Sequence, residues 1–425
     1  MKVFLDTIGC RLNQSEIEIM AGQFRQTGHE IVATPAEADM VIINTCAVTS
    51  AASSDSRNKV RQAARSSDAQ IILTGCWATL EPEAAAELPG VENVFLNPDK
   101  DNLVAEILKI NPEVFDIEPL AREPLPGAHQ RTRAFLKVQD GCDNFCTFCI
   151  TRVARGAGVS KSMEDVINDV NWALAGGVKE VVLSGVHLGS WGRDFERPRH
   201  LKDLLQAILS YTDVPRLRLS SLEPWDLGED FFSVWEDKRM CRHLHLPLQS
   251  GAKETLKRMA RKTTPTDFRK IVSDARSVAP DMAITTDMIV GFPGESDEDF
   301  AETLDYVKQI DFAGGHIFTY SARQGTPAAK YKDQVRGPIR KRRSAVLRAA
   351  FAEMAYRYHQ RFLGETLDVL WESSQQSSDG TWQLKGLTGN YLKVAADCSH
   401  NHWNEIDNVR LLSFEGDLVK GEIIG

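Results

Sequence analysis

The sequence predicts an α/β protein in three parts: an N-terminal doubly wound parallel sheet, a central partial (β/α)6 barrel and a small C-terminal all-β barrel. Three observations carry this. Short apolar runs alternate with helical periodicity over most of the chain. Cysteines fall just past successive apolar runs, where such sheets bind ligands. The last 60 residues change to short strands with Gly, Asn and Asp turns.

In the first unit, residues 1–112, the run Lys2-Val3-Phe4-Leu5 is a strand. Ile17, Met20, Ala21 and Phe24 then repeat at i, i+3, i+4 and i+7, one face of a helix. Met40-Val41-Ile42-Ile43 and Gln70-Ile71-Ile72-Leu73 are buried strands, each followed by a helical stretch. A strand at 91–95 and a helix at 103–110 close the unit. Residues 113–128 are proline-rich and polar, a linker.

From 129 to 363 the rhythm resumes. Six strands are expected at 135–139, 180–184, 216–220, 243–246, 283–290 and 316–320. Helices are expected at 163–174, 201–209, 230–236, 264–278 and 297–310, with Ser162 and Ser296 placed as caps. Six units in series make an open version of the eight-fold barrel, with its chemistry at the strand carboxyl ends. Residues 364–425 form the all-β module, with strands at 366–371, 382–388, 391–394 and 417–421.

The chain has 425 residues, 42% hydrophobic and 26% charged, the balance of a globular protein with a sizeable core. Fifty Lys and Arg against 59 Asp and Glu leave a net charge of −9, which excludes a globally basic nucleic-acid binder. No apolar run approaches the roughly 20 residues needed to cross a bilayer, so no membrane association is expected. The start lacks a secretory pattern, and a cytoplasmic location is expected. Disulfides are rare there, so the eight cysteines need another use.

Cys10, Cys46 and Cys76 each sit just past a predicted strand. The fold would gather them at one rim of the sheet. They are a candidate site or, alternatively, three buried structural thiols. Cys142, Cys146 and Cys149 have the spacing C-x3-C-x2-C at the end of the first barrel strand. Three thiolates there can hold three corners of an iron–sulfur cube. Structural zinc is the alternative, but it normally takes four ligands in paired spacings, and no second pair lies nearby. Cys241 and Cys398 stand alone and are expected to be inert.

The triad with an aromatic, Phe148, before its last cysteine resembles the signature of the radical S-adenosylmethionine enzymes. The whole order of parts is similar to that of their methylthiotransferases, whose C-terminal module is a TRAM domain. The resemblance implies a 4Fe–4S cluster on Cys142, Cys146 and Cys149, with an open iron that binds S-adenosylmethionine and cleaves it to a 5′-deoxyadenosyl radical. It implies an auxiliary 4Fe–4S cluster on Cys10, Cys46 and Cys76 that carries sulfur. It also implies cofactor contacts at Phe148, Ser184, Gly185, Gln249 and Asp287. Taken without it, Ser184-Gly185 is an ordinary strand-end turn, and the glycine-rich turn at 291–295 merely starts the next helix. His243 and His245 could simply hydrogen-bond within the barrel.

Within the family, Thr7-Ile8-Gly9-Cys10-Arg11-Leu12-Asn13-Gln14, Asn44-Thr45-Cys46-Ala47-Val48-Thr49, Ser184-Gly185-Val186-His187-Leu188-Gly189 and Asn390-Tyr391 resemble the branch acting on threonylcarbamoyladenosine of tRNA. One segment, Ile150 to Gly156, departs from the family's pattern and is read as touching no ligand. The implied activity is addition of a methylthio group to C2 of that anticodon-loop adenosine. Alternatives are isopentenyladenosine in tRNA or an aspartate of a ribosomal protein. A non-catalytic redox-sensing or RNA-binding module with structural zinc is the alternative outside that chemistry. The implied partners are tRNA and an electron donor such as flavodoxin or ferredoxin, with the enzyme a monomer.

Arg336, Arg340, Lys341, Arg342, Arg343 and Arg348 form a basic run. Such a run is usually a solvated face, but against the net negative charge it is a candidate phosphate-contact patch. From 364 onward ten acidic residues oppose four basic ones, so RNA contact there would lean on stacking by Trp382 and Tyr391.

Overall fold

The computed structural model describes residues 1–115, 132–228, 230–416 and 418–424. Most of the expected linker lies outside the described residues; within them Pro112–Phe115 is a short 3-10 turn.

The N-terminal unit is a five-stranded, all-parallel sheet. Its strands are β1 (Lys2–Thr7), β2 (Glu30–Ile31), β3 (Met40–Thr45), β4 (Gln70–Gly75) and β5 (Val91–Val94), in the order β2-β1-β3-β4-β5. Helices α1 (Arg11–Gln26), α2 (Ser50–Ser66), α3 (Cys76–Leu80), α4 (Pro82–Ala86) and α5 (Leu103–Leu108) complete it. Val3, Leu5 and Ile42 pack with Ile17, Met20 and Phe24 on one face. Val41, Ile43 and Leu73 pack with Val60 and Trp77 on the other. Strand residues alternate between the two faces, so both must be apolar, which is why these strands read as continuous hydrophobic runs.

The central unit has seven strands. They are β6 (Arg133–Asp140), β7 (Val159–Ser160), β8 (Glu180–Gly185), β9 (Arg216–Leu219), β10 (His243–His245), β11 (Ala283–Val290) and β12 (Gly314–Thr319). Six are parallel, and the two-residue β7 is an antiparallel addition to the end of β6 that the periodicity did not signal. The ladder is interrupted between β9 and β10, where the parallel bridges Leu217–Met240 and Ser221–His245 carry it across. Around this arc lie α6 (Thr151–Arg155), α7 (Met163–Ala175), α8 (Leu201–Tyr211), α9 (Lys253–Arg258), α10 (Pro265–Val278), α11 (Asp297–Ile310) and α12 (Gly337–Gln360). Ser162 caps α7 through the Asp165 amide, and Ser296 and Asp299 form a capping box on α11. The helix expected at 230–236 is a 3-10 segment, Phe231–Glu236, too short for an α-helical face.

Ala134, Leu136 and Val138 of β6 join the core beneath the helices, as do Leu244 of β10, Leu246 just after it, and Ile284 and Met288 of β11. The alternate residues therefore face the lumen: Phe135, Lys137 and Gln139, then His243 and His245, then Thr285 and Asp287. The outer edge of β6 is covered by α1, where Ser15 Oγ accepts from the Lys137 amide at 3.2 Å.

The C-terminal unit is a closed barrel of β13 (Thr366–Gln376), β14 (Trp382–Thr388), β15 (Lys393–Cys398), β16 (Ile406–Glu415) and β17 (Leu418–Ile423), in the order β13-β14-β15-β17-β16. Closure leaves no exposed sheet edge. The barrel is fastened to the amino ends of the central strands. Glu180, fully buried at the start of β8, pairs with Arg218 at 2.6 Å and Arg216 at 2.9 Å. Those two arginines donate onward to the carbonyls of Leu387, Thr388 and Gly389.

Candidate functional site

Two thiol clusters lie at strand carboxyl ends. In the N-terminal unit Cys10 follows β1, Cys46 follows β3 and Cys76 opens α3 after β4. With this strand order the chain reverses direction between β1 and β3, the point where open α/β sheets bind ligands. Gly9 permits the approach. Its φ is +99°, and a Cβ there would collide with Cys46 Sγ. Gly75, at φ +96°, likewise leaves no room for a Cβ against the Thr45 backbone. Asn13 ties the rim together, donating to the carbonyls of Ile8 (2.9 Å) and Thr45 (3.0 Å), while Cys10 Sγ lies 3.5 Å from its Oδ1. Asn97 Nδ2 donates to Cys76 Sγ at 3.7 Å and to the Ala154 carbonyl at 2.6 Å.

Arg155 reaches into this rim from the central unit. It bonds Asn13 Oδ1 at 2.8 Å, Glu16 Oε1 at 2.8 Å and Asp140 Oδ1 at 2.9 Å. Burial alone would raise the Glu16 pKa, but Lys100, Arg155 and Lys137 hold it well below the carboxylate range. Burial pushes the Cys10 and Cys46 thiols up, with Arg155 opposing in both cases.

The second triad occupies the loop after β6. Cys146 is pushed up to about 11 by burial, with Arg261 partly offsetting that. Burial raises Cys149 as well. Each sulfur has a donor: the Asn144 amide at 3.4 Å on Cys142, Arg261 Nη1 at 3.8 Å on Cys146, and the Thr151 amide at 3.4 Å on Cys149. Beside Cys142 stands His187. Burial would lower its pKa, but the 2.5 Å contact with Asp226 outweighs this and lifts it to about 9. Phe148 packs edge-on against Phe292 at 6.4 Å.

The donor sets fit polynuclear clusters better than single ions. Three thiolates on one zinc, at about 2.3 Å each, would lie about 3.8 Å apart. Among the described residues, one set of three ligand atoms falls within 4.8 Å of one another, His402, Glu405 and Asp407; neither cysteine triad is that tight.

The helix α6 joins the two clusters, which corrects the reading of its segment as touching no ligand. Thr151, at its start, donates to Cys149, and Arg155, at its end, enters the other rim. Four steps of about 1.5 Å along this five-residue helix put the two anchor points roughly 6 Å apart along the axis.

Ser184 is buried, and Gly185 is packed so that a Cβ would meet Gln139 Oε1 at 3.0 Å. Gln249 takes φ +70°, with its amide on the Asp287 carbonyl at 2.9 Å. Asp287 faces the lumen 3.4 Å from His245. His243 and His245 both bond Thr285 Oγ1, at 2.8 and 3.0 Å, the hydrogen-bonded arrangement open to them in a packed barrel.

Four of the six expected RNA contacts are otherwise engaged. Arg343 is buried and paired with Glu295 (2.6 Å) and Asp297 (2.8 Å). Arg340 packs its stem on Gly291 and gives its guanidinium to the Tyr320 carbonyl. Trp382 leans on the C-terminal barrel core. Tyr391 stacks on His243 at 4.1 Å. A basic run at helical spacing must turn part of itself inward, which sequence adjacency conceals. Lys341 and Arg342 remain exposed. Cys241 lies near Glu180, and Cys398 bonds the His400 carbonyl, away from both triads.

Asn13, Asn97, Arg155, His187 and Arg261 were given no role from sequence, although Asn13 and His187 stand in motifs that carry the family resemblance. Each is a lone polar residue whose partner lies on another element. For Asn13 and Arg155, nearness to a cysteine motif was the available signal.

A parallel α/β barrel carrying C-x3-C-x2-C after its first strand defines a radical S-adenosylmethionine enzyme. Residues 136–307 match the radical SAM superfamily, and residues 2–97 match the uncharacterized protein family UPF0004. The chain is 36% identical to the threonylcarbamoyladenosine tRNA methylthiotransferase MtaB of Thermotoga maritima, over 99% of this chain and 98% of that protein. It is 34% identical to the protein of that name from Bacillus subtilis, over 99% and 96%. It is 30% identical to the tRNA-2-methylthio-N(6)-dimethylallyladenosine synthase of Alkaliphilus oremlandii, over 100% and 93%. The chain belongs to the radical S-adenosylmethionine methylthiotransferase family, whose cofactors are S-adenosylmethionine and two 4Fe–4S clusters. Among solved structures, the radical S-adenosylmethionine methyltransferase TsrM of Kitasatospora setae shares the fold at TM-score 0.60 and 16% identity, over 77% of this chain and 75% of that one. No helix among the described residues is long and apolar enough to cross a membrane.

Proposed function

We propose that the protein methylthiolates C2 of N6-threonylcarbamoyladenosine in the anticodon loop of tRNA. The observation that carries this is full-length similarity to two proteins named for that reaction, at 34 and 36% identity. The second reading is dimethylallyladenosine, supported by the relative at 30%.

In this proposal Cys142, Cys146 and Cys149 hold one cluster, and Cys10, Cys46 and Cys76 hold the auxiliary one. When bound, the first supplies the electron that opens the sulfonium of S-adenosylmethionine, and the second supplies the sulfur. The chain's own residues do the rest. The N–H groups of Asn144, Arg261 and Thr151 point at the three sulfurs of the first triad and offer each a hydrogen bond. Arg155 places a buried positive charge beside the second. Ser184, Gly185, Gln249 and Asp287 line the cofactor's side of the lumen, and Phe148 backs the cysteine loop. Helix α1 packs along the flank of β6. Lys341 and Arg342 offer phosphate contacts outside.

The test is mass analysis of nucleosides from tRNA treated with the anaerobically reconstituted enzyme. The expected product is the 2-methylthio derivative of threonylcarbamoyladenosine. A product found solely on dimethylallyladenosine would overturn the choice of substrate. Cys46→Ala is expected to cleave S-adenosylmethionine yet leave tRNA unthiolated.

A further inference from the structure

The two candidate adenosines differ at one place. Threonylcarbamoyl ends in a carboxylate, whereas dimethylallyl is a neutral hydrocarbon. In adenine, C2 and the N6 substituent lie on the same edge of the ring, separated by N1. A group that senses the substituent must therefore sit close to the centre that works on C2.

Arg11 meets that requirement. It directly follows Cys10 and begins α1. Its guanidinium carbon lies 4.9 Å from the ring centroid of Phe135, a lumen-facing residue of β6. Its Nη2 donates to Tyr391 Oη at 2.9 Å. Tyr391 in turn stacks on His243, at 4.1 Å and 12° between planes, and His243 bonds Thr285 inside the lumen. The guanidinium is thus held over one aromatic ring and against the hydroxyl of another.

Neither neighbour is an anion, and among the described residues no Asp or Glu pairs with Arg11. The contrast with its surroundings is sharp. Arg155 has Glu16 and Asp140, Arg218 has Glu180, and Arg261 has Glu223. Arg11 is half-buried, and its guanidinium lies against the ring of the lumen-facing Phe135. A planar guanidinium fixed by stacking is pre-organised to take a carboxylate through two parallel hydrogen bonds.

We propose that Arg11 is the specificity-determining residue that binds the carboxylate of the threonylcarbamoyl group. This rests on the substrate reading above. Tyr391 and Phe135 are its positioning partners, and through Tyr391 the C-terminal barrel takes part in substrate choice without touching the base.

The experiment uses the full-length reconstituted enzyme and three anticodon stem–loop RNAs. One carries threonylcarbamoyladenosine, one its methyl ester and one dimethylallyladenosine. The wild type is expected to favour the acid over the ester by about 10- to 100-fold in kcat/KM, the range for a hydrogen-bonded charge. Arg11→Gln is expected to lose that preference and treat the two alike, mainly through KM. Arg11→Lys should keep part of it. An unchanged acid-to-ester ratio in Arg11→Gln overturns the assignment, as does equal turnover of acid and ester by the wild type. The wild-type comparison and Arg11→Lys still decide the matter if Arg11→Gln fails to fold. A wild type that works on the dimethylallyl RNA and ignores the other two would instead overturn the substrate reading.

Discussion

Removing Arg155 should loosen the union of the N-terminal and central units. In Arg155→Met the buried Glu16, 3% exposed, loses the 2.8 Å partner that comes from the other unit. Breaking a buried ion pair by removing one member costs about 3–5 kcal/mol, because the other charge stays buried. Glu16 keeps Lys100 at 2.8 Å and Lys137 at 3.7 Å, so the low end, about 3 kcal/mol, applies. For a cooperative unit of 150–250 residues this lowers Tm by roughly 6–12 °C. The assay is anaerobic thermal denaturation of the metal-free protein, followed by circular dichroism. Arg155→Lys should recover part of the loss, since it restores the charge and lacks the fork that reaches Asn13, Glu16 and Asp140 together. A melting point for Arg155→Met within about 2 °C of wild type would refute the reasoning.

Gly9→Ala should fold yet lose the auxiliary site, because the new Cβ occupies the space of Cys46 Sγ and the residue is held at φ +99°; iron analysis is expected to give about four atoms per chain in place of about eight. Burial would raise the Glu180 carboxyl, but Arg218 and Arg216 outweigh it and hold the pKa down at about 2. Its folded pKa lies below its unfolded one. Its contribution is therefore complete above about pH 4.5 and fades as pH falls toward 2; urea midpoints across that window should fall for wild type and stay flatter for Glu180→Gln. Lys341→Ala with Arg342→Ala should lower the salt dependence of RNA binding by about one per charge removed. Arg343→Ala should instead lower stability, because its partner Glu295 is left buried; parallel filter-binding and melting curves separate the two effects.

Much of the fold was legible because the signals are local. Runs such as Met40 to Ile43 are apolar throughout, which is what a strand buried on both faces requires. Helix caps at Ser162 and Ser296 are written within four residues. The N-terminal cysteine triad was legible for a different reason: strand carboxyl ends gather at one rim, which brings residues 30 or more apart in sequence to the same place, whereas the second triad is written within eight residues. Sequence reading went astray where a side chain's partner lies on a distant element. Arg343 looked like part of an RNA-binding run, yet Glu295 and Asp297 claim it. Tyr391 looked like a stacking platform, yet the base of the central barrel takes it.

Most of the order of strands and helices, the three-part architecture and the two cysteine triads were contained in the sequence, because periodicity and spacing are properties of neighbouring residues; the two-residue strands β2 and β7 and the strand β16 were not. Tertiary structure alone decided that α6 would join the two thiol clusters, that Arg155 would cross between units, and that Tyr391 would leave the surface to hold Arg11. Those outcomes depend on how separate elements pack, and a buried charge or ring takes whichever partner the packing brings within reach.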